Sequence, residues 1–170
     1  IIKTYLALLR RDDMFTYRLC NNKDYEIWIK LNKAFMHEEI QDDTLWNNTN
    51  QESEDRFYNT FSEALNSEEL INMLIFEENG KPVGFANLMT IFSVWSHGRA
   101  IILDDLYIIP EARGKGYGKK SLKFVEEFAK ERKYKRLQFQ SEETNANAKG
   151  FYSAMGYMPT DMKFYVKYFE

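Results

Sequence analysis

The chain has 170 residues, 44% of them hydrophobic and 16% aromatic, with a formal net charge of −3 from 23 basic and 26 acidic side chains. That length predicts one domain with enough apolar material for a core, and the near-balanced charge argues against a general nucleic-acid binder. The lone Cys20 excludes an internal disulfide and a cysteine zinc site and fits a reducing cytoplasm, and no apolar run reaches the ~18 residues of a membrane span.

Residues 1–13 run from an apolar stretch into Arg10-Arg11-Asp12-Asp13, with no basic leader and no A-x-A cleavage site. They read as an N-terminal extension ahead of a single domain over 14–170. Alternation predicts a strand over 15–20. Asn21 and Asn22 offer an N-cap for a helix over 23–36, whose apolar side carries Tyr25, Ile27, Trp28, Leu31 and Phe35. A second helix over 54–65 carries Phe57, Phe61 and Leu65 at four-residue spacing. Residues 37–69 hold ten acids and one base, a local net of −9. That is either a solvated face or a field that draws a cationic substrate.

A strand over 70–76, a turn over 77–81 with Asn79-Gly80 at its tip, and a strand over 82–92 predict a hairpin. A loop over 93–98 with Trp95 and His97 leads into a strand over 99–109. Residues 113–118, Arg-Gly-Lys-Gly-Tyr-Gly, precede a helix over 119–132 striped by Leu122, Val125, Phe128 and Ala129. A strand over 135–140, a helix over 146–155 capped by Asn145 and stopped at Gly156, and one or two strands over 158–169 complete the chain. Residues 113–136 hold ten bases and three acids, a local net of +7.

A strand that turns through alternating glycines into a helix is an anion site. Glycine tolerates positive φ, so backbone N–H groups converge, and the first helical N–H groups have no intrahelical partner. With Arg113, Lys115, Lys119 and Lys120 nearby, the natural ligand is a pyrophosphate. The Walker pattern fails, because its first position would be Arg113 and its last Lys120. The dinucleotide fingerprint fails too, because the spacing is GxGxG and Gln138 stands where the ribose-binding acid belongs. The pattern [Q/R]xxGxG fits in full. By it the chain resembles the GNAT superfamily of acyl-CoA-dependent acyltransferases. The resemblance implies an α/β fold of the α+β type: a mixed, mostly antiparallel central sheet flanked by helices, with a splayed parallel strand pair at the cofactor site. It also implies acetyl-CoA as cosubstrate and no metal. The backbone of Leu106, Tyr107 and Ile108 would hold the pantetheine arm, and Arg113, Gly114, Lys115, Gly116, Tyr117, Gly118 and Lys119 the pyrophosphate.

A second family pattern, N-x-x-A-x-x-x-Y-x-x-x-G-[FY], fits at Asn145, Ala148, Tyr152, Gly156 and Tyr157. A purely structural account makes these an N-cap, a packed aromatic and a C-cap. The resemblance instead puts Asn145 on the pantetheine arm and Tyr152 at the thioester sulfur. A phenol at ~10 is close enough to a thiol at ~8.5 to protonate a departing thiolate. Between the motifs, Asp104 and Asp105 interrupt an apolar strand. Consecutive strand side chains point to opposite faces, so one acid would face the site to recognise a protonated amine or take its proton; the structural alternative pairs the acids with a lysine or a backbone N–H.

Val83-Gly84-Phe85-Ala86, Trp95, residues 103–108, the glycine loop and Phe151-Tyr152 also fall in the order seen in spermidine/spermine acetyltransferases. Here the strand pair is Asp-Asp rather than Glu-Asp, which draws one carboxylate back. Asp104, Asp105, Trp95 and Glu142 are the candidate substrate-binding residues, and Tyr152, Asp104 and Asp105 the candidate catalytic ones. The expected activity is transfer of an acetyl group to a small cationic amine, such as a polyamine or aminoglycoside, by direct attack with no covalent acyl-enzyme. The alternatives are acetylation of a protein lysine or N-terminus, and a non-catalytic acyl-CoA sensor. Expected partners are a small amine and a second copy of the chain, docked through Phe164, Tyr165, Val166, Tyr168 and Phe169; no nucleic acid or membrane is expected.

Overall fold

The structure is a computed structural model that describes residues 15–39, 54–141, 146–163, 165 and 167. They fall into two units, divided between Phe139 and Gln140. The first unit holds β1 (Phe15–Leu19), α1 (Tyr25–Glu39), α2 (Glu54–Leu65), β2 (Ile71–Glu78), β3 (Lys81–Ser93), β4 (Gly98–Ile108), a 3₁₀ turn (Pro110–Ala112), α3 (Tyr117–Glu131) and β5 (Arg136–Phe139). The second holds α4 (Ala146–Ala154).

The five strands form one sheet in the order β1-β2-β3-β4-β5. All neighbours are antiparallel except β4 and β5, which pair in parallel across the glycine loop and α3. The mixed, mostly antiparallel sheet expected from the sequence is therefore present. One sheet face carries Ile75, Phe85 and Tyr107, covered by Leu31 and Phe35 of α1, while Met73 meets Trp28 and Phe61. The α3 stripe of Leu122, Val125, Phe128 and Ala129 is buried, as its 3.6-residue spacing predicts. Tyr117, at the start of α3, stacks on Phe15 at 4.1 Å between ring centres.

Element boundaries differ from expectation for local reasons. Helix α1 starts at Tyr25 rather than at residue 23. Asp24 sits in the preceding turn, where its carboxylate accepts from Arg18 at 2.7 and 2.8 Å and from the Asn21 N–H at 2.8 Å. The hairpin turn is only Asn79-Gly80, at φ 54° and 73°, so Glu78 pairs directly with Lys81 and both strands run further toward the tip.

The expected strand over 158–169 is not formed by the described residues there. Met162 N–H reaches Thr160 O at 3.0 Å, a tight turn that an extended strand cannot make, and Met158, Met162 and Tyr165 are exposed. Of the residues assigned to dimerisation, Phe164, Val166, Tyr168 and Phe169 lie outside the described residues, as does the proposed extension over 1–13.

Helix α4 ends in a two-bond cap: Tyr157 N–H donates to Tyr152 O at 3.1 Å and Gly156 N–H to Ser153 O at 3.0 Å, with Gly156 at φ 87°. The rings of Tyr152 and Tyr157, 6.4 Å apart, supply the apolar contact that accompanies such a cap. The Y-xxx-G-Y spacing thus has a local structural cause.

Candidate active site

Three features of the first unit converge on the C-terminal half of β4. The first is an open edge. Parallel pairing joins Ala100–Leu103 of β4 to Arg136–Phe139, and stops there. From Asp104 onward, no described residue pairs with that edge of β4. Strand alternation turns the Tyr107 N–H and C=O toward β3 and leaves those of Leu106 and Ile108 pointing away from it, where Leu106 and the Ile108 N–H can take an extended ligand in the manner of an added strand.

The second feature is a bulge. Asn87 of β3 pairs with Asp105 and its neighbour Leu88 with Leu103, which leaves Asp104 as an extra residue. The simple alternation expected for the two acids is broken, because a bulged residue has no opposite number and re-aims the strand. Asp104 is exposed and Asp105 half-buried. Asp105 Oδ2 accepts from Asn87 Nδ2 at 2.7 Å. Burial pushes the Asp105 carboxyl above its usual range; the Asn87 hydrogen bond opposes this, while the charges of Asp104 and of Glu39 on α1 add to it. Asn87 is 7% exposed, and its Oδ1 has no partner among the described residues. A buried acceptor left open costs about 1–3 kcal/mol.

The third feature is the glycine loop. Gly114 and Gly116 both sit at φ 77°, and Gly116 is the N-cap of α3. A Cβ at either position would meet no atom within 4 Å, so both open onto free space rather than packed protein. Positive φ, open space and the head of an α-helix, whose first N–H groups have no intrahelical acceptor, together fit a pyrophosphate. Gly118 falls inside the first turn of α3, and Lys119 is exposed.

The loop's side chains have carboxylate partners that the motif alone did not reveal. Arg113 donates from Nη2 to Glu38 Oε2 at 2.6 Å and from Nε to Ile108 O at 2.9 Å. The Tyr107 hydroxyl donates to Glu38 Oε1 at 2.8 Å. Burial, then Glu38, pushes the Tyr107 phenol up to about 12. Burial acts to raise the Glu38 carboxyl, but the hydrogen bonds from Arg113 and Tyr107 outweigh it and hold that carboxyl low. Lys115 Nζ lies 3.0 Å from both Glu78 oxygens, and the Tyr117 hydroxyl also donates to Glu78. Tyr117 and Lys115 therefore hold the Glu78 carboxyl low. Glu38 and Glu78 tie the loop to α1 and to β2.

The remaining candidates are Trp95, Glu142, Asn145 and Tyr152. Trp95 is 92% exposed in the β3–β4 turn. About seven residues of strand, roughly 23 Å, separate that turn from Asp105. Glu142 and Asn145 lie outside the described residues. Tyr152 belongs to the second unit, half-buried, with Phe151 packed edge-on at 5.2 Å. Burial raises its phenol above the ordinary value. A groove of about 430 Å³ between α1 and α2, lined by Tyr25, Lys30, Lys33 and Phe57 among others, is lined by none of these candidates.

Glu38, Glu39, Asn87 and Glu78 were not singled out by the sequence. Asn87 had a signal, as a lone carboxamide inside the apolar run 83–88. Glu38 and Glu39 were visible only as members of an acidic stretch. Glu78 looked like an ordinary hairpin residue.

Residues 33–157 match the model of the Acetyltransferase (GNAT) family, and the chain belongs to that family. An uncharacterised N-acetyltransferase of Bacillus subtilis (strain 168), YhfO, is 40% identical over 85 residues, which is 50% of this chain and 57% of that protein. Thialysine N-epsilon-acetyltransferase of Bos taurus is 36% identical over 74 residues, 44% of this chain and 43% of the relative. The chain thus spans about half the length of the curated relatives it matches. Among solved structures, an aminoglycoside acetyltransferase, meta-AAC0020, from an uncultured soil metagenomic sample superposes with a TM-score of 0.73 at 16% identity, covering 92% of this chain and 98% of that one. A predicted acetyltransferase with acetyl-CoA from Clostridium acetobutylicum gives 0.68 at 20% identity, covering 90% and 96%. At these identities the two structures share the fold with this chain.

Proposed function

We propose that the chain transfers the acetyl group of acetyl-CoA to a primary amine on a small cationic acceptor. The observation that carries this reading is the juxtaposition on one strand: the open edge at 106–108 and the glycine loop follow directly on the acidic bulge at Asp104-Asp105. An anionic donor and a cationic acceptor are thereby offered adjacent places. The family, the thialysine acetyltransferase relative and the solved neighbour that holds acetyl-CoA support the same reading.

In this reading the N–H groups at the head of α3 and the loop at 113–119 take the pyrophosphate, and the 106–108 stretch of β4 pairs with the pantetheine arm through Leu106 and Ile108. The acceptor enters as an ammonium ion. Asp105 takes one proton from it, directly or through water, which frees the nitrogen lone pair. The nitrogen bonds to the thioester carbonyl carbon and loses its second proton to water, the C–S bond breaks, and the sulfur leaves as thiolate. Tyr152 is the proposed donor of the proton that this thiolate takes up, with Asn145 on the pantetheine arm; both assignments rest on the family motif.

A thiol-release assay with acetyl-CoA tests the proposal over polyamines, aminoglycosides, thialysine and a lysine-bearing peptide. Saturable release with a small amine is expected. Release with the peptide alone would move the acceptor to protein lysine, and no release with any amine would overturn the reading.

A further inference from the structure

Asn87 is the polar group that the proposed chemistry does not yet use. It stands in the middle of β3, 7% exposed, directly opposite Asp105 across the ladder. Its carboxamide is oriented by one bond: Nδ2 donates to Asp105 Oδ2 at 2.7 Å. That bond fixes Oδ1 as an acceptor with no donor among the described residues. A second, separate observation concerns the charge around it. Asp104 and Glu39 both act on Asp105 electrostatically, so three carboxylates from β4 and α1 load this part of the sheet face. An acceptor oxygen set among carboxylates is matched by a donor that carries positive charge. No lysine or arginine is bonded to Asp104, Asp105 or Asn87 among the described residues.

We infer that Asn87 Oδ1 and the Asp105 carboxylate together form a two-point seat for the acceptor nitrogen, each accepting one of its N–H bonds. The seat makes Asn87 a specificity-determining residue. It favours an ammonium with at least two N–H donors and disfavours a tertiary ammonium of equal charge, whose single N–H can satisfy only one of the two acceptors. The seat also suits the reaction. Once Asp105 has taken a proton, a primary amine still has an N–H for Oδ1 to hold, so the nitrogen stays seated while the lone pair freed on the Asp105 side turns toward the thioester. The inference rests on the acetyltransferase reading for its purpose, but the seat itself is a binding property of the chain.

The test uses 1,4-diaminobutane and its N,N,N′,N′-tetramethyl derivative, both dications at neutral pH, with affinities measured by calorimetry in the absence of acetyl-CoA. The wild type should bind the primary diamine about ten- to a hundredfold more tightly, the range set by one hydrogen bond to a charged group. Asn87→Leu should bring the ratio of the two affinities close to one. Loss of the Asn87–Asp105 bond affects both probes alike, so a merely structural Asn87 would leave the ratio unchanged. If Asn87→Leu does not fold, as judged by its melting transition, Asn87→Ser carries the same comparison. Equal affinities in the wild type, a ratio preserved in the variants, or no binding of 1,4-diaminobutane would each overturn the inference. A ratio that behaves as expected, together with no thiol release from any amine, would keep the seat and overturn the acetyltransferase reading.

Discussion

Asp105 is held between opposing influences. Burial and the charges of Asp104 and Glu39 raise its pKa, while Asn87 lowers it, and the balance is upward. A base works only when deprotonated, so turnover should fall as pH drops through this raised value, at a higher pH than an ordinary carboxylate would give. Asp105→Asn should abolish that acid limb along with most of the turnover. Tyr152, the proposed acid, would set the other side of the same profile. Burial raises its phenol, so the proton stays available through neutral pH and the alkaline limb should lie at a higher pH than an ordinary phenol would give. Tyr152→Phe should cut kcat by about 10²–10⁴ and remove that limb, with little change in acetyl-CoA affinity. The cap geometry gives this variant a built-in control, because the ring contact with Tyr157 survives loss of the hydroxyl. Unchanged kcat across the whole pH range would remove Tyr152 from the chemistry.

At the scale of elements, the pairing of β3 with β4 decides where the site lies, and Gly84 sets that pairing. A Cβ at Gly84 would collide with the Tyr107 carbonyl oxygen and lie 2.7 Å from Ile108 Cδ1 and 3.2 Å from Ile108 Cα. Two of these atoms are backbone and cannot swing away. Gly84→Ala should therefore cost about 1–3 kcal/mol, as overpacking does. At roughly 2–4 °C per kcal/mol for a chain of this size, thermal melting would detect it; an unchanged Tm would mean that the strands are not so closely apposed. The glycine loop was legible in the sequence because Gly114 and Gly116 need the left-handed conformation they adopt, and the α3 stripe because its period is helical. The bulge at Asp104 was not legible. Nothing in Leu103-Asp104-Asp105-Leu106 marks an extra residue, and only the register against Asn87 and Leu88 exposes it. Glu38 and Glu78 were illegible for a related reason: they reach Arg113 and Lys115 across 75 and 37 residues of chain, distances over which spacing carries no information.

At the scale of the whole molecule, the charge asymmetry seen in the sequence has a structural counterpart. The acidic first half sends Glu38 to Arg113, Glu78 to Lys115 and the charge of Glu39 to Asp105, so the proposed places for an anion and a cation follow one another along the chain from β4 into the glycine loop. The central claim is that these two places serve one bimolecular transfer. Its most direct measurement is mass balance: acetyl-CoA and the preferred amine are incubated with the protein, and acetylated amine and free CoA are both quantified by mass spectrometry. The account predicts equal amounts of the two products. With Gly116→Val, which puts a branched side chain into the open space at φ 77°, the Michaelis constant for acetyl-CoA should rise far more than that for the amine. Free CoA without acetylated amine, or an unchanged acetyl-CoA Michaelis constant in Gly116→Val, would contradict it.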